Sequence, residues 1–189
     1  MGFVKKIVGD KCYLSPVDET DVEKVTKWSN DLRVSIRTGD ISDMITSDLQ
    51  KEYLKNMSNT GYAFYIVDAE DDEAVGIIRI MRIDRINRHG VLGAFIGEKD
   101  KRNKGIGTEA TKLILDFAFN VINLRNIMIE TFSFNNRVIN MCKKVGFKEI
   151  GRRRNVIIYG ENEFDEVFMD ILNSEFNKLY VSNICEALN

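Results

Sequence analysis

The chain has 189 residues, 44% of them hydrophobic and 30% charged, with a net charge of -2 and a pI near 5.6. That length supplies one domain with a sizeable core, and that balance excludes a chain too poor in apolar residues to fold. The near-neutral charge offers no broad attraction to nucleic acid phosphates, and no apolar run approaches the roughly 20 residues of a membrane helix.

In chain order, Cys12 to Leu14 reads as a short strand, followed by a helix through Val22, Val25 and Trp28 that a Thr20/Glu23 capping box would open. Residues 29–45 look irregular. A second capping box, Ser47 with Gln50, would open a helix with Leu49, Tyr53, Leu54 and Met57 on one face. Tyr62 to Val67 is strand-like and leads through the acidic turn Asp68 to Glu73 into another apolar run from Ala74, as in an antiparallel hairpin. Ile77 to Arg88 is read as strand for its β-branched density, with a short basic helix as the alternative, and Val91 to Ile96 is the next strand. Ala110, Leu113, Ile114, Phe117, Ala118 and Val121 then trace the clearest amphipathic helix in the chain. Ile127 to Phe132 is a strand, and Asn135 can cap a helix carrying Val138, Met141, Cys142 and Val145 that Gly146 ends. Two strands, Lys148 to Tyr159 and Phe164 to Leu172 with Gly160 between them, complete an α/β pattern, and Asn173 to Asn189 reads as a partly helical tail.

The stretch Phe95-Ile96-Gly97-Glu98-Lys99-Asp100-Lys101-Arg102-Asn103-Lys104-Gly105-Ile106-Gly107 joins a strand to the strongest helix. Glycines let backbone N–H groups approach an anion, the helix start near Thr108 adds unpaired amides, and Arg102 and Lys104 add charge, so the segment reads as a phosphate cradle. A P-loop is disfavoured, because Thr108-Glu109 stands where a lysine and a hydroxyl are needed. A nicotinamide site is the serious rival, since Gly105 to Ala110 fits G-x-G-x-x-A and Glu130 follows about 20 residues later. Against it, Gly97 to Lys104 intervene after the strand and repeated βαβ units are lacking.

Arg102-Asn103-Lys104-Gly105-Ile106-Gly107 resembles the [Q/R]-x-x-G-x-[G/A] pyrophosphate loop of the GNAT superfamily of acyl-CoA-dependent N-acetyltransferases. The resemblance continues through Asn135 to the closing Gly146-Phe147, covers roughly residues 11–172, and is closest to the branch with ribosomal-protein N-terminal, spermidine and amino-sugar acetyltransferases. It implies a single-domain GNAT-like fold over residues 1–175 with a tail at 176–189, its mixed, largely antiparallel twisted sheet flanked by helices. It implies acetyl-CoA as cosubstrate, its pyrophosphate held by Arg102, Asn103, Lys104, Gly105, Ile106, Gly107 and Thr108. The backbone of Phe95, Ile96 and Gly97 would bind pantetheine and polarise the thioester carbonyl, and Asn135 would contact the pantetheine arm.

Both usual catalytic positions depart from the family: Cys142 stands where many relatives place a tyrosine acid, and Val91 where many carry a glutamate. The catalytic candidates are therefore Cys142 as acid, against a core role on the apolar helix face, and Glu130 or His89 as base. Each of the two bases has a plainer role: His89 as a surface residue, Glu130 as an arginine's partner. The expected reaction is direct transfer to a primary amine, of a small molecule or a protein N-terminus; the alternative is an acyl-CoA-binding sensor or interaction module. The arginines of Arg79 to Arg88 and Arg152 to Arg154 read as solvated strand edges rather than a nucleic acid site. Residues 29–45 and the loop around Tyr159 to Phe164 would shape the acceptor pocket. One histidine and three irregularly spaced cysteines suggest no metal, reduced thiols and a cytoplasmic protein without membrane attachment; a homodimer is compatible with the sequence.

Overall fold

The computed structural model describes residues 2–177 and divides into two compact units. One consists of the residues up to Met81 with Ala94–Ile114, the other of Arg82–Gly93 with the residues from Leu115 onward.

In the first unit, β1 (Ile7–Val8) pairs antiparallel with β2 (Cys12–Pro16), β2 with β3 (Tyr62–Asp68), and β3 with β4 (Ala74–Asp84). Tyr13 lies opposite Val67, and Tyr65 opposite Ile77, so these side chains share the face that α1 (Val22–Asn30) and α3 (Ser47–Thr60) cover with Val25, Trp28 and Leu54. The alternate residues Leu14, Ile66 and Ile78 are just as buried. Burial on both faces explains why Tyr62 to Val67 shows no polar alternation in sequence.

Both predicted capping boxes are displaced. Helix α1 follows Asp21 with no side-chain cap, and Thr46 rather than Ser47 caps α3, its hydroxyl accepting from the Leu49 N–H. The segment expected to be irregular contains a helix, α2 (Leu32–Thr38). Asp31 caps it by accepting from the Arg33 N–H, and Gly39 at φ 94° ends it in the left-handed conformation a glycine adopts without strain. Strand β4 stops at Asp84, and a turn bound to the Asp84 carboxylate by the Ile86 and Asn87 N–H groups leads into β5 (His89–Ile96). The predicted boundary after Arg88 is thereby moved four residues upstream.

Helix α4 (Ile106–Asn120) follows the loop after β5; Val121, expected on its apolar face, lies beyond its end and is exposed. In the second unit, His89 to Leu92 pair parallel with Asn126 to Ile129 of β6 (Asn126–Phe132). Strand β6 pairs antiparallel with β8 (Asn162–Leu172), which pairs antiparallel with β7 (Lys148–Tyr159). Helix α5 (Asn136–Val145) ends at Gly146, φ 116°, where the Gly146 and Phe147 N–H groups both donate to the Cys142 carbonyl. The strand order is β1-β2-β3-β4-β5-β6-β8-β7, a mostly antiparallel α/β sheet as the sequence implied. Of the predicted tail, Asn173–Glu175 forms a single 3-10 turn; the tail from residue 178, with Cys185, lies outside the described residues.

Candidate active site

After β5 the chain makes a 3-10 turn at Lys99–Lys101, bends at Gly105 with φ +88°, and enters α4 at Ile106. The amides of Ile106, Gly107 and Thr108 lie in the first helical turn, where no carbonyl four residues back accepts them. The Glu109 N–H is the first to be satisfied, by the Gly105 carbonyl at 3.0 Å. A Cβ at Gly107 would make only ordinary contact, 3.7 Å from Ile96, which fits a motif position that takes glycine or alanine. Exposed glycine backbone, a helix dipole and flanking lysines suit an anion of pyrophosphate's charge.

Two of the loop's cations are turned inward. Arg102 donates through Nε to the Ile96 carbonyl at 3.1 Å and through Nη2 to the Gly97 carbonyl at 2.8 Å, bracing the loop against the end of β5. Lys101 lies between Asp68 at 2.7 Å and Asp71 at 2.5 Å, which raises the pKa of its ammonium and holds the Asp71 carboxyl below the usual range. Asn103, at φ 67°, is exposed, as are Lys99 and Lys104.

The strand end is equally committed. The Gly97 N–H donates to the Val75 carbonyl at 2.9 Å, and Trp28 occupies the space beside the Gly97 Cα while its Nε1 donates to Glu98 at 3.0 Å. The Gly97 N–H and carbonyl are thus both hydrogen-bonded within the protein, as is the Ile96 carbonyl. Sequence reasoning missed a neighbour of the loop as well. The Glu109 carboxylate accepts the Asp10, Lys11 and Cys12 N–H groups at 3.3, 2.7 and 2.9 Å, seating the turn between β1 and β2. Lys11 Nζ donates to the Lys104 carbonyl at 3.0 Å. No sequence pattern joins residues 98 positions apart.

The second unit holds the remaining candidates. Cys142 has no exposed surface, and burial pushes its thiol up to about 12. His89 opens β5, half-exposed, with Nε2 3.7 Å from Asp84. Glu130 stands two residues along β6 from Met128, which lies opposite Val91, so Glu130 and Val91 share a sheet face. Its carboxylate accepts from Arg82 Nη2 at 2.5 Å. Asn135 is buried and occupies the cap position of α5 without a side-chain capping bond, whereas its carbonyl accepts the Val138 and Ile139 N–H groups. Near it, Phe134 packs on Phe132, Tyr159 and Phe164, with ring centroids 4.9 to 5.9 Å apart. Among the described residues no helix is long and apolar enough to cross a membrane.

The acetyltransferase (GNAT) domain model matches residues 11–148. A probable N-acetyltransferase of Bacillus subtilis is 31% identical over 88% of this chain and 97% of its own length. The spermidine N(1)-acetyltransferase of Escherichia coli is 24% identical over 73% of each chain. Among solved structures, spermidine N-acetyltransferase from Vibrio cholerae in complex with CoA and spermine superimposes with a TM-score of 0.79 at 19% identity, covering 88% of this chain and 98% of that one. These matches displace the nicotinamide reading of the glycine loop: the chain belongs to the GNAT family of acetyl-CoA-dependent N-acetyltransferases.

Proposed function

We propose that this enzyme acts in the cytoplasm and transfers the acetyl group directly to a primary amine while acetyl-CoA and acceptor are bound together. The acceptor is a small polyamine-like molecule or a protein N-terminus. The single observation that carries the cofactor side is the glycine bend at Gly105 feeding the first-turn amides of α4. Relatives named for spermidine support the small-amine acceptor.

In this reading Asn103 to Thr108 hold the pyrophosphate, Arg102 fixes their conformation, and Phe95, Ile96 and Asn135 line the pantetheine arm. The amine nitrogen attacks the thioester carbon, the carbon–sulfur bond breaks, and the CoA thiolate departs. Glu130 takes the proton the amine gives up: it is a partly exposed carboxylate on the Val91 face, and Arg82 fixes its position. Cys142 is a core residue, since a buried thiol pushed up to about 12 is a poor proton donor to a thiolate. His89 is the first residue of β5.

Calorimetric titration with acetyl-CoA tests the cofactor reading. Wild-type protein binds, and Gly105→Leu, strained at φ +88°, binds at least tenfold more weakly with its fold retained by circular dichroism. Equal binding by the variant removes the loop from the site. A panel of polyamines and N-terminal peptides then identifies the acceptor.

A further inference from the structure

The loop motif contains four cations, Lys99, Lys101, Arg102 and Lys104, but its geometry withdraws two of them. Lys101 is bound by Asp68 and Asp71, and the Arg102 fork is bound to two backbone carbonyls of its own loop. Fewer of the loop's own cations are thus turned toward a pyrophosphate, and a cation from another segment adds to Lys99 and Lys104.

Lys11 is that cation. Its ammonium donates to the Lys104 carbonyl at 3.0 Å, and it is the group that a Cβ at Gly105 would touch, also at 3.0 Å. An ammonium has three N–H donors, and this one uses a single described bond. The ammonium itself stands beside the exposed glycine bend that leads into the first turn of α4.

Its placement is specified from the helix side. Glu109, in the first turn of α4, would repel an anion at that helix start, yet its carboxylate is turned to the β1–β2 turn, where it accepts three backbone N–H groups. One of those donors is the Lys11 N–H itself, at 2.7 Å. Gly9 completes the seat: a Cβ there would come within 2.9 Å of the Glu109 carboxylate. The same acidic group that could oppose the anion thus fixes the backbone that delivers a cation to it.

We propose that Lys11 is a direct binding residue for the pyrophosphate of acetyl-CoA, bridging it to the Lys104 carbonyl, and that Glu109 is the residue that positions it. This rests on the reading of residues 102–108 as the pyrophosphate loop.

The test titrates wild type and Lys11→Met with CoA and with 3′-dephospho-CoA, at low and high salt, and compares their thermal unfolding without ligand. Lys11 is exposed, so the variant retains the wild-type Tm within a few degrees. The expected result is a roughly five- to tenfold weaker Kd for both ligands, shrinking at high salt, because a charge-assisted bond to the pyrophosphate they share is lost. Unchanged affinity overturns the proposal while leaving the loop reading intact, and so does a loss confined to CoA, which assigns Lys11 to the 3′-phosphate. A loss that accompanies a large fall in Tm, or that high salt does not reduce, also overturns it, because Lys11 would then be structural. Failure of wild type to bind either ligand refutes the loop reading itself and the proposal with it.

Discussion

The indole of Trp28 fills the place a side chain would need at Gly97: a Cβ built there lies 2.3 Å from the ring. Trp28 is buried, packs edge-on against Phe95 and donates to Glu98, so it has little room to move. Helix α1 thereby fixes the end of β5 from which the glycine loop departs.

Gly97→Ala should therefore cost about 2 kcal/mol or more in urea denaturation, the range of overpacked core positions, and weaken acetyl-CoA binding as the strand end shifts. Trp28→Ala in the same chain removes the clash, so the double variant should be more stable than the sum of the single losses predicts. Additive losses would show that the indole does not set the limit at Gly97.

A second consequence concerns Lys101, whose charge faces Asp68 and Asp71. Lys101→Met should leave acetyl-CoA affinity within about twofold, in contrast to Lys11→Met, while lowering the urea midpoint at neutral pH. The pH dependence follows from Asp71, whose folded pKa is depressed chiefly by its hydrogen bond from Lys101. Stability from this source is present above the ordinary carboxyl pKa near ~3.9 and is lost as pH falls through the folded value. The difference between wild type and Lys101→Met should narrow below about pH 4; a constant difference down to pH 2 would refute the linkage.

The loop shows how far the sequence could be read. Its glycines, the helix behind it and the Gly146 terminator were legible because each is a local signal: a φ that glycine adopts without strain, or apolar residues at helical spacing. Helix α2 was not, because seven residues give too little periodicity, and only Asp31 and Gly39 at its ends could have marked it. The cations of residues 99–104 looked equivalent as a run of charge, yet Lys101 and Arg102 are bound by groups that folding brings to them. Lys11 and Glu109 carried no signal at all, since their meeting depends on how β2 lies beside the start of α4.

Cys142 separates the acid and core readings. Burial keeps its thiol protonated up to about 12, so Cys142→Ala should hold kcat within about threefold across pH 6 to 9 and cost about 1–2 kcal/mol of stability for the cavity left. A fall in kcat of a hundredfold with stability unchanged would restore the acid role.

Glu130 is the converse case. If its carboxylate accepts the amine proton, Glu130→Gln should lower kcat/KM roughly hundredfold while leaving acetyl-CoA affinity unchanged, the scale of a lost general base. Raising the pH, which supplies more of the acceptor as free amine, should recover part of the loss. Arg82→Ala separates positioning from chemistry, since it removes the 2.5 Å bond that holds the carboxylate but not the carboxylate. It should cost less than Glu130→Gln and retain the wild-type shape of the pH profile below neutrality. A Glu130→Gln enzyme with wild-type kcat/KM at every pH would mean that the amine reaches the thioester already deprotonated, leaving orientation by the site as the main source of rate.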